Sequence, residues 1–133
     1  MPSTCYNTTV TWVVEYTDQF ETWYLALDEQ QQDRMDFVVA LLEVKGPLLG
    51  RPFVDTIRAS QYPNLKELRV QAAGDPIRAF FAFDPRRAAI LLIGGDKTGD
   101  EQFYDRMIPI ADALYAEHLD ELKREAEEKK RNG

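Results

Sequence analysis

A chain of 133 residues with 44% hydrophobic and 11% aromatic side chains is long enough for one packed core and too short for two. A single cysteine, Cys5, and a single histidine, His118, exclude an intramolecular disulfide framework and a thiol–histidine zinc site. No apolar run approaches the ~20 residues of a membrane span, and MPSTCYNTT has neither the basic nor the apolar part of a leader, so a cytoplasmic chain with no membrane, metal or cofactor requirement is expected and the Asn7-Thr8-Thr9 sequon is idle.

The net charge of −7 is unevenly spread. Residues 1–50 hold two basic and eight acidic side chains, whereas residues 51–110 hold nine and eight. An anion-binding face is therefore compatible with an acidic chain, provided it is built from the central part.

In chain order, residues 10–15 (VTWVVE) form a β-branched and aromatic stretch that predicts a strand. Asp18 with Glu21 makes a capping-box start for a helix with Phe20, Trp23, Tyr24 and Leu27 on one face. Asp28 with Gln31 repeats the signal and opens a second helix, whose Met35, Val38, Val39 and Leu42 point to the core until Gly46-Pro47 ends it. The following GPLLGRPFVDTIRASQYPN, with three prolines and two glycines, predicts a loop with an apolar lining, with a turn or short strand over 54–59.

Three strands are predicted over 65–71, 76–83 and 88–94, joined by AAGD and DPRR as antiparallel hairpins. Pro109 suits the first turn of a last helix, and Ile110, Ala113, Leu114, Leu119 and Leu122 continue at helical spacing into ELKREAEEKKRNG. The expected fold is α+β: an N-terminal strand, a helical hairpin, an antiparallel sheet of about four strands and a C-terminal helix. One domain spans 1–133, with a charged helical extension from about residue 111 that offers a lever to a partner or a second protomer.

The hairpin turns fix an expected register. If Gln71 faces Pro76, Arg69 lies across from Arg78, with Leu68, Val70, Ile77 and Ala79 on the core face and Glu67, Arg69, Arg78 and Phe80 on the other, exposed face. Two arginines opposite each other repel unless a carboxylate separates them or an anion sits between them. Glu67 is the available internal counter-ion. With Phe83 facing Ala88, Ile93 falls beside Arg78 and Lys97 lies on the same face past the strand end, while Lys66 has the opposite parity.

ILLIGGDKTGDEQFYD, residues 90–105, superficially resembles a phosphate loop, but Asp96 stands where a Walker glycine is required and its carboxylate would repel the phosphates. Lys97 must therefore serve some other arrangement. Tyr104 reads either as first-turn packing beside Phe103 and Met107 or as a site residue. His118 reads as a half-buried structural histidine one turn from Leu114 and Leu122.

In combination, the helical hairpin over 12–42, GPLLGRPFVDTI, SQYPNLKELR, IRAFFAFDPRRAAILLIGGDK and YDRMIPIADALYAEHL resemble the RelE/ParE toxin superfamily, in its phage-derived, HigB-like branch. The resemblance covers most of residues 10–119. It implies the toxin of a type II toxin–antitoxin system, a ribosome-dependent mRNA endoribonuclease (mRNA interferase) that inhibits translation and is silenced by a helix-turn-helix antitoxin. Its implied partners are that antitoxin, the ribosome and mRNA. By the same resemblance Arg69, Arg78, Lys97 and Tyr104 are the catalytic candidates, Lys66 and Arg87 contact RNA, and Glu67 is a base or a brace. The alternative is a toxin-fold protein that acts without catalysis, as a gyrase-type inhibitor or an antitoxin-binding module.

Overall fold

The computed structural model describes residues 11–132, so Cys5, the sequon and the first residue of the expected N-terminal strand lie outside the described residues. The elements run β1 (Val14–Tyr16), α1 (Asp18–Leu25), α2 (Glu29–Lys45), β2 (Val54–Thr56), β3 (Lys66–Ala72), β4 (Asp75–Phe83), β5 (Ala89–Asp96) and α3 (Phe103–Asn132). They build one five-stranded sheet in the order β1-β5-β4-β3-β2. The expected α+β architecture is thus found, with two refinements. The short apolar stretch after Phe53 pairs as a fifth strand against β3, and β1 joins the sheet parallel to β5 rather than antiparallel.

β1 starts later than the 10–15 stretch suggested and runs one residue further, to Tyr16, where Thr17 ends it by becoming the cap of α1. The Thr17 hydroxyl accepts from the Phe20 amide and donates to the Leu92 carbonyl, so the cap is Thr17 and not the Asp18–Glu21 pair. Asp28 and Gln31 do form the reciprocal capping box at the start of α2.

Both helices of the hairpin pack on one face of the sheet. There Phe20, Met35, Val38 and Leu42 meet Leu68, Val70, Ile77, Ala79 and Leu91. On the other face Phe80, Ala82, Ile90 and Leu92 are covered by Phe103, Met107, Ala111, Leu114 and Tyr115 of α3. This second cover changes the expectation of an exposed face: α3 begins at Phe103, six residues before Pro109, which sits inside the helix rather than in its first turn. Phe103 and Met107 make the helix worth starting early, since their burial outweighs the one backbone bond that Pro109 cannot donate.

Register along β3 and β4 is as the turn arithmetic requires, with Gln71 across from Pro76 and Arg69 across from Arg78. The β4–β5 register is not. Phe83 pairs with Ala89 instead of Ala88, and a bulge between Phe80 and Phe81 shifts the ladder again, so Gly95 and not Ile93 lies opposite Arg78. The two glycines in this stretch are points of close helix approach. A Cβ at Gly94 would come 2.3 Å from the Trp23 ring of α1, and one at Gly95 would come 2.8 Å from the Phe103 ring of α3.

The middle of α3 is pinned by Asp84 in the β4–β5 turn. Its buried carboxylate accepts from the Arg86 guanidinium at 2.7 Å and contacts His118 Nε2 at 2.8 Å, and Arg86 also reaches Glu15 of β1 at 2.7 Å. His118 is therefore the structural histidine expected. Nearer the start of α3, Asp112 accepts from the Ser60 hydroxyl and the Gln61 amide and so ties down the long loop. Beyond Asp120 the helix is largely exposed and runs on to Asn132.

Burial pushes the Asp84 carboxyl up, but the hydrogen bonds from Arg86, His118 and the Ala88 amide outweigh it and hold the pKa below the ordinary carboxylate value. A folded-state pKa below the unfolded one adds stability above the unfolded value, which is lost as pH falls through the folded one. Asp84→Asn is expected to cost about 2–4 kcal/mol at pH 7 in urea denaturation. Its stability should also fall less steeply than wild type as pH drops below about 4.

Candidate functional site

Alternation along β3 and β4 places Glu67, Arg69 and Arg78 on the α3 side of the sheet, at the end where the first turn of α3 crosses it. Glu67 lies between the cations. Its carboxylate is 3.6 Å from Arg78 Nε and 4.0 Å from Arg69 Nε, and it accepts a 2.7 Å hydrogen bond from the Tyr104 hydroxyl. Tyr104 sits edge-on to both Phe80 and Phe103, and Lys97 Nζ stands 5.2 Å from the centre of its ring.

Of the four candidates named for chemistry, Arg69, Arg78 and Tyr104 thus meet at Glu67, and Lys97 joins them over the Tyr104 ring. Two further candidates are not. Lys66 has the opposite parity and turns to Thr56 of β2, 3.5 Å away. Arg87 is in the β4–β5 turn at the far end of the hairpin, with a positive φ of 67°, and lies over Trp12 at 5.6 Å. Neither joins Arg69 and Arg78, because Lys66 faces the other side of the sheet and Arg87 lies at its far end.

Burial divides the cluster. Glu67 and Arg78 are only 5% and 6% exposed, whereas the Arg69 side chain is 33% exposed. The expectation that Arg78 stands exposed is therefore corrected: α3 closes over it. Buried charges of this kind demand compensation. Arg78 donates from Nη1 to the carbonyl of its neighbour Ile77, yet its Nε and that of Arg69 are buried without a hydrogen-bond partner. The Tyr104 phenol is pushed above its ordinary value by burial first and by the bond to Glu67 second, so it carries its proton at neutral pH.

Lys97 is delivered by a compact turn. Asp96 accepts from both the amide and the hydroxyl of Thr98, and the Lys97 amide donates to Pro76. The carboxylate that ruled out a phosphate loop is the organiser of this turn. No helix among the described residues is long and apolar enough to cross a membrane.

Residues 22–116 match the family described as Phage derived protein Gp49-like (DUF891). The chain belongs to this family. It is 50% identical over 95 residues to Putative toxin HigB3 of Mycobacterium tuberculosis, covering 71% of this chain and 82% of that protein. With Putative toxin HigB2 of the same organism it shares 41% over 112 residues, 83% of this chain but 55% of the relative, so it spans little more than half of that protein's length. Among solved structures, a mutant of E. coli toxin RelE in the free state superposes with a TM-score of 0.53 at 7% identity, covering 70% of this chain and 90% of that one. The RelE of a RelB–RelE antitoxin–toxin complex from Methanococcus jannaschii gives 0.51 at 8%, covering 68% and 98%. At such identities the likeness is one of fold, and the fold of this Gp49-like chain is RelE-like.

Sequence reasoning missed Arg34 of α2, which reaches around the sheet edge to the Gln71 carbonyl at 3.2 Å. The available signal was its isolation as one of only two basic residues in the first fifty.

Glu67→Gln is expected to destabilise the fold by about 3 kcal/mol, since it leaves buried Arg78 without its counter-ion. Tyr104→Phe should cost only about 1–2 kcal/mol in the same denaturation series. In an alkaline titration followed by phenolate absorbance, Tyr104 should titrate above the ordinary tyrosine range and move part of the way back in Glu67→Gln. A normal titration of Tyr104, isolated as the difference between wild type and Tyr104→Phe, would contradict the bond.

Proposed function

We propose that this chain is the toxin of a type II toxin–antitoxin system and that it cleaves mRNA on the translating ribosome. The observation that carries the reading is the convergence of Arg69, Arg78, Lys97 and Tyr104 on one end of one sheet face, around a single carboxylate. Family membership and the names of the relatives support it, and the RelE complex supports an antitoxin as partner. A helix-turn-helix antitoxin, and docking at the ribosomal decoding site, belong to the same proposal.

Cleavage proceeds by attack of a ribose 2′-oxygen on the adjacent phosphorus, with loss of the 5′-oxygen of the next nucleotide. The pentacoordinate phosphorane formed on the way carries one more negative charge than the diester. Arg69 and Lys97, the more accessible cations, contact its oxygens, and Arg78 supports them from below. Tyr104, protonated at neutral pH, supplies the proton to the leaving 5′-oxygen. Glu67 fixes Tyr104 and the two arginines as a brace. The isolated site lacks an exposed strong base, so the 2′-hydroxyl proton passes to solvent water while the ribosome holds the 2′-oxygen in line with the phosphorus, and solvent returns a proton to Tyr104 afterwards.

A second reading has its own observation. The near burial of Glu67 and Arg78 suits a structural ion pair, and in that case the chain acts only by binding a protein partner. Expression without an antitoxin separates the two. The expected result is growth arrest with mRNA cut inside translated regions and uncut where translation is blocked. Lys97→Ala, which removes a half-exposed side chain and leaves no core cavity, should lower cleavage by about 100-fold with the fold intact by circular dichroism. Replication arrest with intact mRNA would assign a gyrase-type inhibitor, and a folded chain with neither effect would leave only the binding module.

A further inference from the structure

Where β2 ends, the outer edge of β3 from Arg69 onward has no neighbouring strand, and a cavity of about 270 Å³ opens there. Its wall is made by Arg34, Arg69 and Arg78 together with Val38, Phe53 and Gln71, and it includes no carboxylate. Arg34 reaches it from α2, held by its bond to the Gln71 carbonyl and by stacking 5.2 Å over Phe37. Among the described residues no carboxylate lies within ion-pair distance of Arg34. Glu67 answers two of the three positive charges, and only at 3.6 and 4.0 Å.

Three guanidinium groups line one open cavity and repel one another. Such an arrangement is relieved by an anion with several acceptor oxygens. A phosphate fits: the cavity holds it with several waters at ~30 Å³ each, and guanidinium groups match phosphate oxygens in pairs. Phe53 gives the same cavity an apolar wall for a ribose or base.

We propose that this cavity is a second phosphate site, which takes the backbone phosphodiester of single-stranded RNA next to the one held at Arg69 and Lys97, with Arg34 as its outer ligand. The assignment rests on the RNA-cleaving reading for the source of the phosphate, but not for the anion site itself. RNA then runs over the sheet edge towards α2, and Arg34 contributes to binding rather than to the chemical step.

The test uses the full chain labelled with ¹⁵N, in which arginine Nε–H signals report each guanidinium separately. Inorganic phosphate and a short single-stranded RNA made uncleavable by 2′-O-methylation are titrated separately. Both are expected to shift Arg34, Arg69 and Arg78, and RNA, which also occupies the cleavage site, to shift Lys97 and Tyr104 as well. Arg34→Gln keeps a helix-forming residue at an exposed position, with an amide still able to donate to Gln71. It should weaken RNA binding about three- to tenfold and reduce the slope of log affinity against log salt by about 0.7, the loss of one phosphate contact on a single strand. RNA that shifts Lys97 and Tyr104 but leaves Arg34 silent would overturn the second site and leave the cleavage reading standing. Phosphate that shifts the three arginines while RNA shifts none would uphold the anion site and overturn RNA as its ligand. Silence of the arginines to both would overturn the site altogether.

Discussion

The buried Glu67 carboxylate holds this end of the molecule together. Two arginines directly opposite each other on adjacent strands is an arrangement that a sheet does not tolerate unaided. Glu67 lies on the same face, two residues before Arg69, where one oxygen faces Arg69 Nε and the other faces Arg78 Nε and accepts from Tyr104. That last bond joins the sheet to the first turn of α3. The cation cluster and the placement of the helix therefore depend on each other: without α3 the arginines would be hydrated and dispersed, and without Glu67 the helix would cover uncompensated charge.

The same geometry reconciles an acidic chain with a phosphate-directed face. The eight carboxylates of the first fifty residues belong to β1, α1, α2 and their connections, and both helices pack on the side of the sheet away from Arg69 and Arg78. The acid of α1 and α2 is thereby kept on the opposite face from the cluster. At physiological salt the potential of the cluster is felt over roughly a Debye length of ~8 Å, so the local sign matters to an approaching phosphate more than the net charge of −7. Arg34 is the exception among these helices, and it is the one basic side chain of α2 that turns back towards the cluster across the sheet edge.

Much of this was legible in the sequence because hairpins with short turns leave little freedom. The link between Gln71 and Pro76 set the β3–β4 register, and with it the side of every residue from Glu67 to Phe80. The β4–β5 register failed by one residue and then by another, because a bulge is an extra residue that periodicity cannot reveal, and Gly95 took the place expected of Ile93. The early start of α3 was missed for a related reason. Pro109 is a strong local signal for a first turn, but the burial of Phe103 and Met107 against Phe80 and Gly95 is a tertiary gain that overrides it. Lys66 and Arg87 were suggested by charge alone, and charge carries no information about which face or which end of a sheet a side chain occupies.

Of the candidate site, the residue types and their shared face were readable, whereas the burial of Arg78 and the bond from Tyr104 to Glu67 were not, since both depend on where α3 crosses. The most direct measurement is made with purified translating ribosomes, by analysing the ends left on mRNA after incubation with the chain. Attack by a 2′-oxygen predicts a 2′,3′-cyclic phosphate on the upstream fragment and a free 5′-hydroxyl on the downstream one, formed only on ribosome-bound message. Intact mRNA in the presence of saturating folded protein, or equal cutting of free RNA, would contradict a site whose cations come from the sheet and the turn after it, whose acid comes from α3 and whose substrate order is supplied by the ribosome.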